Sequence, residues 1–291
     1  MRKVRAAAVQ MACSTCLKEN LAKAEKMVRF AAAEGAQLIL LPELWQRQYF
    51  CQERRYDYYS YAQTVASDPG VALGLALAAE LGVVLPVSFF EKDGNCLYNS
   101  LACIDAGGRL LGVYRKTHIP DDHFYQEKFY FKPGNSGFTV FATRYGRVGI
   151  GICWDQWFPE TARCLALGGA ELLLYPTAIG SEPILECDSM PHWRRVMQGH
   201  AAANLMPVIA ANRIGTEEVA PCRENAGLKS SLSFYGSSFM TDGTGEIVAS
   251  ASRDEETVIF TDYDLDALAE ERLSWGLFRD RRPECYGSIT K

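Results

Sequence analysis

The strongest constraint on this chain is a rhythm: short apolar runs of strand character return along its whole length, with helical patterns between many of them. The runs are "KVRAAAVQMA", "AQLILLPE", "VVLPVSFFE", "CLYNSLACID", "RLLGVYRK", "RVGIGICW", "ELLLYPTA", "MPVIAANRIG", "SSFMTDG", "EIVASA" and "TVIFTDYD". Helical periodicity falls at residues 18–34, 69–81, 157–168, 191–205 and 264–272. Hairpin signals sit at "DAGGR" and "TDGTGE". Alternation of strand and helix, broken by hairpins, predicts an α/β protein with two layers of sheet instead of one doubly wound sheet. No Ser/Gly/Pro-rich linker, short repeat or low-complexity tract divides the 291 residues, so one domain over residues 1–291 is expected. Residues 117–138, "THIPDDHFYQEKFYFKPGNSGF", form a long irregular stretch of aromatic and charged residues. Loops of that length in a compact domain are usually functional.

Charge narrows the partners. The net charge is -5 with no block of one sign, so the basic footprint of a nucleic-acid or membrane-surface binder is missing and a small-molecule partner is expected. The N-terminal "MRKVRAAAVQMACSTC" begins like a secretory signal, but Gln10 interrupts the apolar run early. No run approaches the roughly 18–20 apolar residues of a spanning helix, and the expected setting is the cytoplasm. The ten cysteines are scattered, which fits reduced thiols better than a disulfide framework. Cys13 and Cys16 make one C-x-x-C pair with no second pair and no His at ligand spacing, so no metal is expected.

Three short strings carry chemistry. In "LILLPELWQRQYF", Glu43 follows an apolar strand and a proline; in "LLGVYRKTHIP", Lys116 closes the strand that enters the long loop; in "VGIGICWDQWFPE", Cys153 stands where a strand gives way to a helix start marked by Pro159 and Glu160. The carboxyl ends of strands are where reactive groups from distant sequence converge in α/β proteins. A thiol is a natural nucleophile for an acyl or carbamoyl carbon, a carboxylate can take its proton and later activate water, and an ammonium with the Trp154 N–H can hold the oxyanion. Taken singly, each has an ordinary alternative: a core cysteine, a helix N-terminal charge at Glu43, a solvated strand end at Lys116. Together they make an amide-hydrolysing set that needs neither metal nor organic cofactor. A triad built on His118, His123, His192 or His200 is disfavoured, and the last two read as structural.

In order and spacing, "LLPELW", "YRKTHIP" and "GIGICWDQWFPE" resemble the three signatures of the nitrilase superfamily of carbon–nitrogen hydrolases, and the likeness covers nearly the whole chain. The resemblance implies a four-layer α-β-β-α sandwich with mixed sheets. It also implies Glu43 as general base, Lys116 as the oxyanion-stabilising cation, Cys153 as nucleophile and a second glutamate, Glu127, that orients the lysine and the leaving ammonia. Homo-oligomers built from dimers are the rule in this superfamily, and the tail at about 274–291 suits a subunit interface. Further strings, "HIPDD", "EKFYFKPGNSGF", "CWDQWFPETAR", "YPTAIGSEP", "HWRRVMQGHAAAN", "ANRIG" and "FRDRRPECY", are similar to the N-carbamoylputrescine amidase branch.

That branch implies a small cationic ureido substrate, whose pocket needs an apolar middle and a carboxylate at the far end. Glu182 is the expected carboxylate, ahead of Glu186 and Asp188, and Tyr49, Tyr125 and Trp154 are expected walls. His123 and Phe124 stand where the branch shows a Pro-Gly-like turn, and Pro191 where an acidic residue is usual. The alternatives are an enzyme of the superfamily acting on a carboxylate-bearing substrate (a β-ureidopropionase, an N-carbamoyl amino acid hydrolase or an ω-amidase), with Arg194 or Arg195 as its cation, and a non-catalytic scaffold on the same fold.

Overall fold

Val4, Ala6 and Ala8 fall on one face of the first strand and Ala7, Val9 and Met11 on the other, and all six are buried. A strand apolar on both faces must be covered on both, which places it in the middle of a layered structure. The computed structural model describes residues 1–182 and 186–290. Pro183, which ends the string "YPTAIGSEP", and Lys291, which ends the 274–291 tail, lie outside the described residues.

In chain order the first half runs β1 (Lys3–Ala12), α1 (Leu17–Ala33), β2 (Leu38–Leu40), α2 (Pro69–Leu81), β3 (Leu85–Asp93), β4 (Cys96–Asp105), β5 (Arg109–Arg115), β6 (Val140–Thr143) and β7 (Gly146–Ile150). The second half runs α3 (Pro159–Leu167), β8 (Leu172–Pro176), α4 (Met190–Asn204), β9 (Val208–Ala211), β10 (Arg213–Val219), β11 (Ser230–Tyr235), β12 (Phe239–Thr241), β13 (Ile247–Ser250), β14 (Thr257–Asp264) and α5 (Leu265–Trp275). One sheet has the order β11-β10-β1-β14 with β2 paired to β1; a second is β13-β12-β9-β8-β7-β6; a third, β3-β4-β5, adjoins β2 through a bridge between Leu38 and Val84. Parallel and antiparallel pairs mix, as β1 shows by running parallel to β2 and antiparallel to β14.

The layers follow from side-chain alternation. Val4, Ala6, Ala8, Leu38 and Leu40 share one apolar cluster with Val148, Ile150, Leu172, Leu174 and Ile209 of the six-stranded sheet, so these faces form the inner core. Ala7, Val9 and Met11 pack instead with Val28 and Ala31 of α1 and Leu77 of α2. On the far side, Leu173 and Val208 pack with Leu165 of α3 and Trp193 and Met197 of α4. Helix, sheet, sheet and helix therefore stack in four layers, as expected. The boundary of α2 is written locally: the Asp68 carboxylate accepts from the Val71 N–H at 2.9 Å, Pro69 occupies the first turn and Gly82 ends the helix with φ of 67°.

Two strands escaped the sequence reading. β6 is four residues long, and β11, "SSLSFY", has three serines that hide a period-2 burial pattern with Ser230, Leu232 and Phe234 inside. The run "MPVIAANRIG", read as one strand, is two: β9 belongs to the six-stranded sheet and β10 to the sheet of β1. Asn212 is the crossing point. Its side chain accepts from the Ile179 and Arg213 N–H groups and donates to the Ile179 and Gly236 carbonyls, so the amide is fully used in pinning the bend between sheets. Among the described residues no helix is long and apolar enough to cross a membrane.

Residues 117–138 are irregular apart from a short turn at Glu127–Phe129, and the segment is pinned to the end of β5. The Gly134 N–H donates to the Lys116 carbonyl at 2.8 Å, and a Cβ at Gly134 would stand 2.1 Å from the Arg115 carbonyl oxygen. Gly134→Ala should therefore cost about 1–3 kcal/mol through a forced backbone shift beside Lys116. Gly199→Ala, inside α4 with nothing within 4 Å of the new methyl group, should instead stabilise by roughly 0.5–1 kcal/mol. Thermal unfolding of both variants checks the opposite signs.

Candidate active site

The ends of β2, β5 and β7 point their next residues into one interior space. Glu43 lies three residues beyond β2, Lys116 directly follows β5 and Cys153 lies three residues beyond β7. Cys153 adopts φ of 43°, a left-handed conformation that costs a non-glycine residue energy and persists only where the surroundings impose it. It opens a short turn, Cys153–Trp157, with its thiol buried and 3.9 Å from the Ala178 carbonyl. The Trp154 N–H is the first backbone donor after the thiol, as an oxyanion site requires.

The ammonium of Lys116 stands between two carboxylates, 2.8 Å from Glu43 Oε1 and 2.7 Å from Glu127 Oε2, and all three side chains are shut off from solvent. Asn99 Nδ2 donates to Glu43 Oε1 at 2.6 Å, and the Tyr49 hydroxyl donates to Glu127 Oε1 at 2.7 Å. Glu43 Oε2 is buried without a partner, which leaves an acceptor free for a proton from thiol or water. Burial alone would depress the Lys116 pKa, but Glu127 and Glu43 override it and hold the ammonium charged. Burial pushes Glu127 up; Lys116 opposes this and the Glu43 charge adds to it. Burial also raises the Cys153 thiol, and Glu43 is the leading charge acting in the same direction. Both effects favour the neutral thiol over the thiolate, so an attack by this sulfur would need a base to take its proton.

The Glu43 segment is held from behind by a buried arginine. Arg213 Nη2 donates to the carbonyls of Glu43 at 3.1 Å, of Arg47 at 3.0 Å and of Leu44, while Nη1 pairs with Glu217 at 2.8 Å. Leu44 sits at φ of 46°, with its N–H donating to Ser88 Oγ. Asn99 was missed in the sequence reading; its signal was an amide in the apolar run of β4, where a polar side chain needs a partner.

Outside these groups lies a cavity of about 410 Å³ whose inner wall includes Cys153 and Glu127. Tyr125, Trp154 and Glu182 are among its lining residues, together with Asp121, Asp122, Trp157 and His192. Tyr49 does not line it. Completely buried, it serves as the hydrogen-bond donor to Glu127, which corrects its reading as a substrate wall. His192, read as structural, faces the cavity with its ring 4.9 Å from that of Trp157. His200 fits its structural reading, being buried with Nε2 2.8 Å from the Gln156 carbonyl. Glu182 is half-buried and its acidity is weakened, first by burial and then by the charge of Asp122. Glu186 and Asp188 line a wider surface groove of about 630 Å³ that shares Glu182 with the cavity but none of the buried reactive groups. Asp188 is paired with Arg253 at 2.6 Å. Arg194 is committed to the Ser237 carbonyl and Ser250 Oγ, and neither it nor Arg195 reaches the cavity lining.

Against known proteins, residues 5–272 match the sequence model of the carbon-nitrogen hydrolase family. The chain is 52% identical to an N-carbamoylputrescine amidase of Arabidopsis thaliana, over 98% of this chain and 94% of that protein. It is 51% identical to a citrullinase of Francisella tularensis, over 100% and 99% of the two chains. The crystal structure of a carbon-nitrogen hydrolase from Helicobacter pylori superposes with a TM-score of 0.90 at 36% identity, covering 99% of each chain. The chain belongs to the carbon–nitrogen hydrolases of the nitrilase superfamily, and it is an enzyme of that class.

Lys116→Met would leave two buried carboxylates facing each other without their cation. It should cost about 3–5 kcal/mol of stability, read by denaturant unfolding. Turnover should fall by about 10²–10³ in the fraction that remains folded.

Proposed function

We propose that the chain hydrolyses the ureido C–N bond of N-carbamoylputrescine, yielding putrescine, ammonia and carbon dioxide, as a step of polyamine formation. The observation that carries this reading is the charge of the cavity. Glu182, Asp121 and Asp122 line its outer part, and no Lys or Arg is among the described lining residues. A ligand with a neutral reacting end and a distant ammonium fits that lining, and one ending in a carboxylate alone meets repulsion. The 52% identity to a protein of that name supports the same substrate.

In the proposed reaction Glu43 Oε2 takes the Cys153 proton as sulfur bonds to the ureido carbon. The oxyanion is held by Lys116 and the Trp154 N–H. Collapse breaks the bond to the terminal nitrogen, which leaves as ammonia with the proton from Glu43. Glu127, tied to Lys116 and Tyr49, orients the lysine and the departing nitrogen. Glu43 then takes a proton from water, which attacks the carbamoyl thioester. The C–S bond breaks, the thiol is restored, and the N-substituted carbamate loses carbon dioxide. Neither metal nor organic cofactor enters these steps. A homo-oligomer belongs to the same proposal, supported by Leu273, Trp275 and Ile289 in and around the tail, which are 80%, 63% and 65% exposed. A cytoplasmic setting belongs to it as well.

Citrulline is the second reading, because it carries the same ureido group and an ammonium at the same distance, with a carboxylate added beside that ammonium. The citrullinase relative favours it, and His192 offers the added carboxylate a donor. Ammonia release should be measured from N-carbamoylputrescine, citrulline, N-carbamoyl-β-alanine and N-butylurea. Cys153→Ala should abolish turnover, and Glu182→Gln should raise KM by about tenfold for the cationic substrate while sparing N-butylurea. Preference for citrulline would move the substrate assignment, and preference for N-carbamoyl-β-alanine would overturn the cation pocket. Because Glu182 is a weakened acid, it gains its proton earlier as pH falls than an ordinary glutamate does. Its attraction for an ammonium is lost in that direction. KM for N-carbamoylputrescine should therefore rise toward mildly acidic pH, and KM for N-butylurea should not follow.

A further inference from the structure

Asp155 is a fully buried carboxylate that touches none of the four reactive groups, yet it takes four hydrogen bonds from the two segments that carry the ammonium and the thiol. Its Oδ1 accepts from the His118 N–H at 2.9 Å and lies 2.7 Å from His118 Nδ1. Its Oδ2 accepts from the Tyr114 hydroxyl at 2.7 Å and the Ile152 N–H at 2.9 Å. Tyr114 stands two residues before Lys116 and His118 two residues after it. Ile152 immediately precedes Cys153. One side chain thus brackets the lysine on both sides and fastens the same point to the backbone at the nucleophile.

We propose that Asp155 is a positioning residue that sets the separation of Lys116 and Cys153 and imposes the left-handed conformation at Cys153. It rests on the roles assigned to those two residues in the proposed reaction. Three features carry it. First, a carboxylate that served only to cap the Cys153–Trp157 turn would need the Ile152 N–H alone, whereas three of its four donors come from residues 114–118, which reach it from another sheet. Second, the His118 ring is itself fixed, stacked on Phe158 with centroids 3.7 Å apart and planes within 6°. Phe158 joins the turn to α3, so both sides of the clamp are braced. Third, Cys153 holds a conformation that must be imposed by its surroundings, and the Ile152 N–H to Asp155 bond is the tie directly before it. Both backbone N–H groups and the tyrosine hydroxyl use Asp155 as their acceptor, and the tautomer of His118 that carries its proton on Nδ1 would add a fourth donor.

The test compares wild type, Asp155→Asn and the double variant Tyr114→Phe/His118→Ala, which strips both side-chain donors and keeps the carboxylate. Turnover and KM are measured on the best ureido substrate, and the rate of Cys153 alkylation by iodoacetamide is read by mass spectrometry. Asp155→Asn should lower kcat by about 10²-fold through misplacement of the reacting groups, and the double variant by about tenfold. KM should stay within about threefold of wild type, because the binding cavity is untouched. Cys153 alkylation should change with kcat while alkylation of Cys16 and Cys164, both exposed, stays constant. A folded Asp155→Asn protein with wild-type kcat and Cys153 reactivity overturns the inference, as does a loss of activity explained by the folded fraction alone. If Asp155→Asn does not fold, wild-type kcat and Cys153 reactivity in the double variant overturn it. Failure of the reaction itself looks different: wild type is then silent on every substrate, and the alkylation arm still decides whether Asp155 positions the thiol.

Discussion

An ammonium held between two carboxylates in a solvent-free interior is the interaction on which the rest of this molecule depends. Taking three charges out of water costs several kcal/mol per ion, and the attraction within the group repays that only if the remaining polar atoms are also satisfied. Lys116 is matched to Glu43 and Glu127, Asn99 covers one oxygen of Glu43 and Tyr49 covers one oxygen of Glu127. Of the two carboxylates' oxygens, Glu43 Oε2 is left without a partner, and it is the one that the proposed chemistry uses. Tyr49, which donates to Glu127, belongs to a buried aromatic cluster with Phe50, Phe90, Tyr130 and Phe131, which sets the charge group against apolar surroundings.

This charge group belongs to no single layer. Glu43 comes from the sheet of β1, Lys116 from the three-stranded sheet and Cys153 from the six-stranded sheet, so the site exists only where the sheets are correctly apposed. The fold answers that need with polar ties at each approach. Arg213 gathers the carbonyls around Glu43, Asn212 turns the chain from one sheet to the other, and Asp155 joins the lysine segment to the cysteine turn. Dispersion and apolar burial bring the layers together without direction; these hydrogen bonds supply the direction. The outer cavity has a different character, with carboxylates partly in contact with solvent, and it is there that the proposed substrate would be told apart from others.

The sequence by itself marked most of the elements and singled out the candidate reactive residues. Alternating apolar runs fix strands because their period is local, Asp68-Pro69 and Gly82 write the ends of a helix, and Glu43, Lys116 and Cys153 announce themselves by standing where strands stop. Local pattern did not separate β9 from β10, because the residues around Asn212 run on without a turn signal and only the choice of sheet divides them. It did not reveal β11, whose alternation is carried by serines, or the work of Asn99 and Asp155, whose partners lie 56 residues away at Glu43 and 41 residues away at Tyr114. Tyr49, read as a cavity wall, donates to a buried carboxylate, and His192, read as structural, faces the cavity, since which of these an aromatic ring meets depends on the residues of other elements that arrive beside it. Chemistry that depends on residue type and strand position was legible in one dimension. Burial, hydrogen-bond partners and the charge that a ligand meets were decided only by the tertiary structure, because each is a property of groups that the chain brings together from far apart.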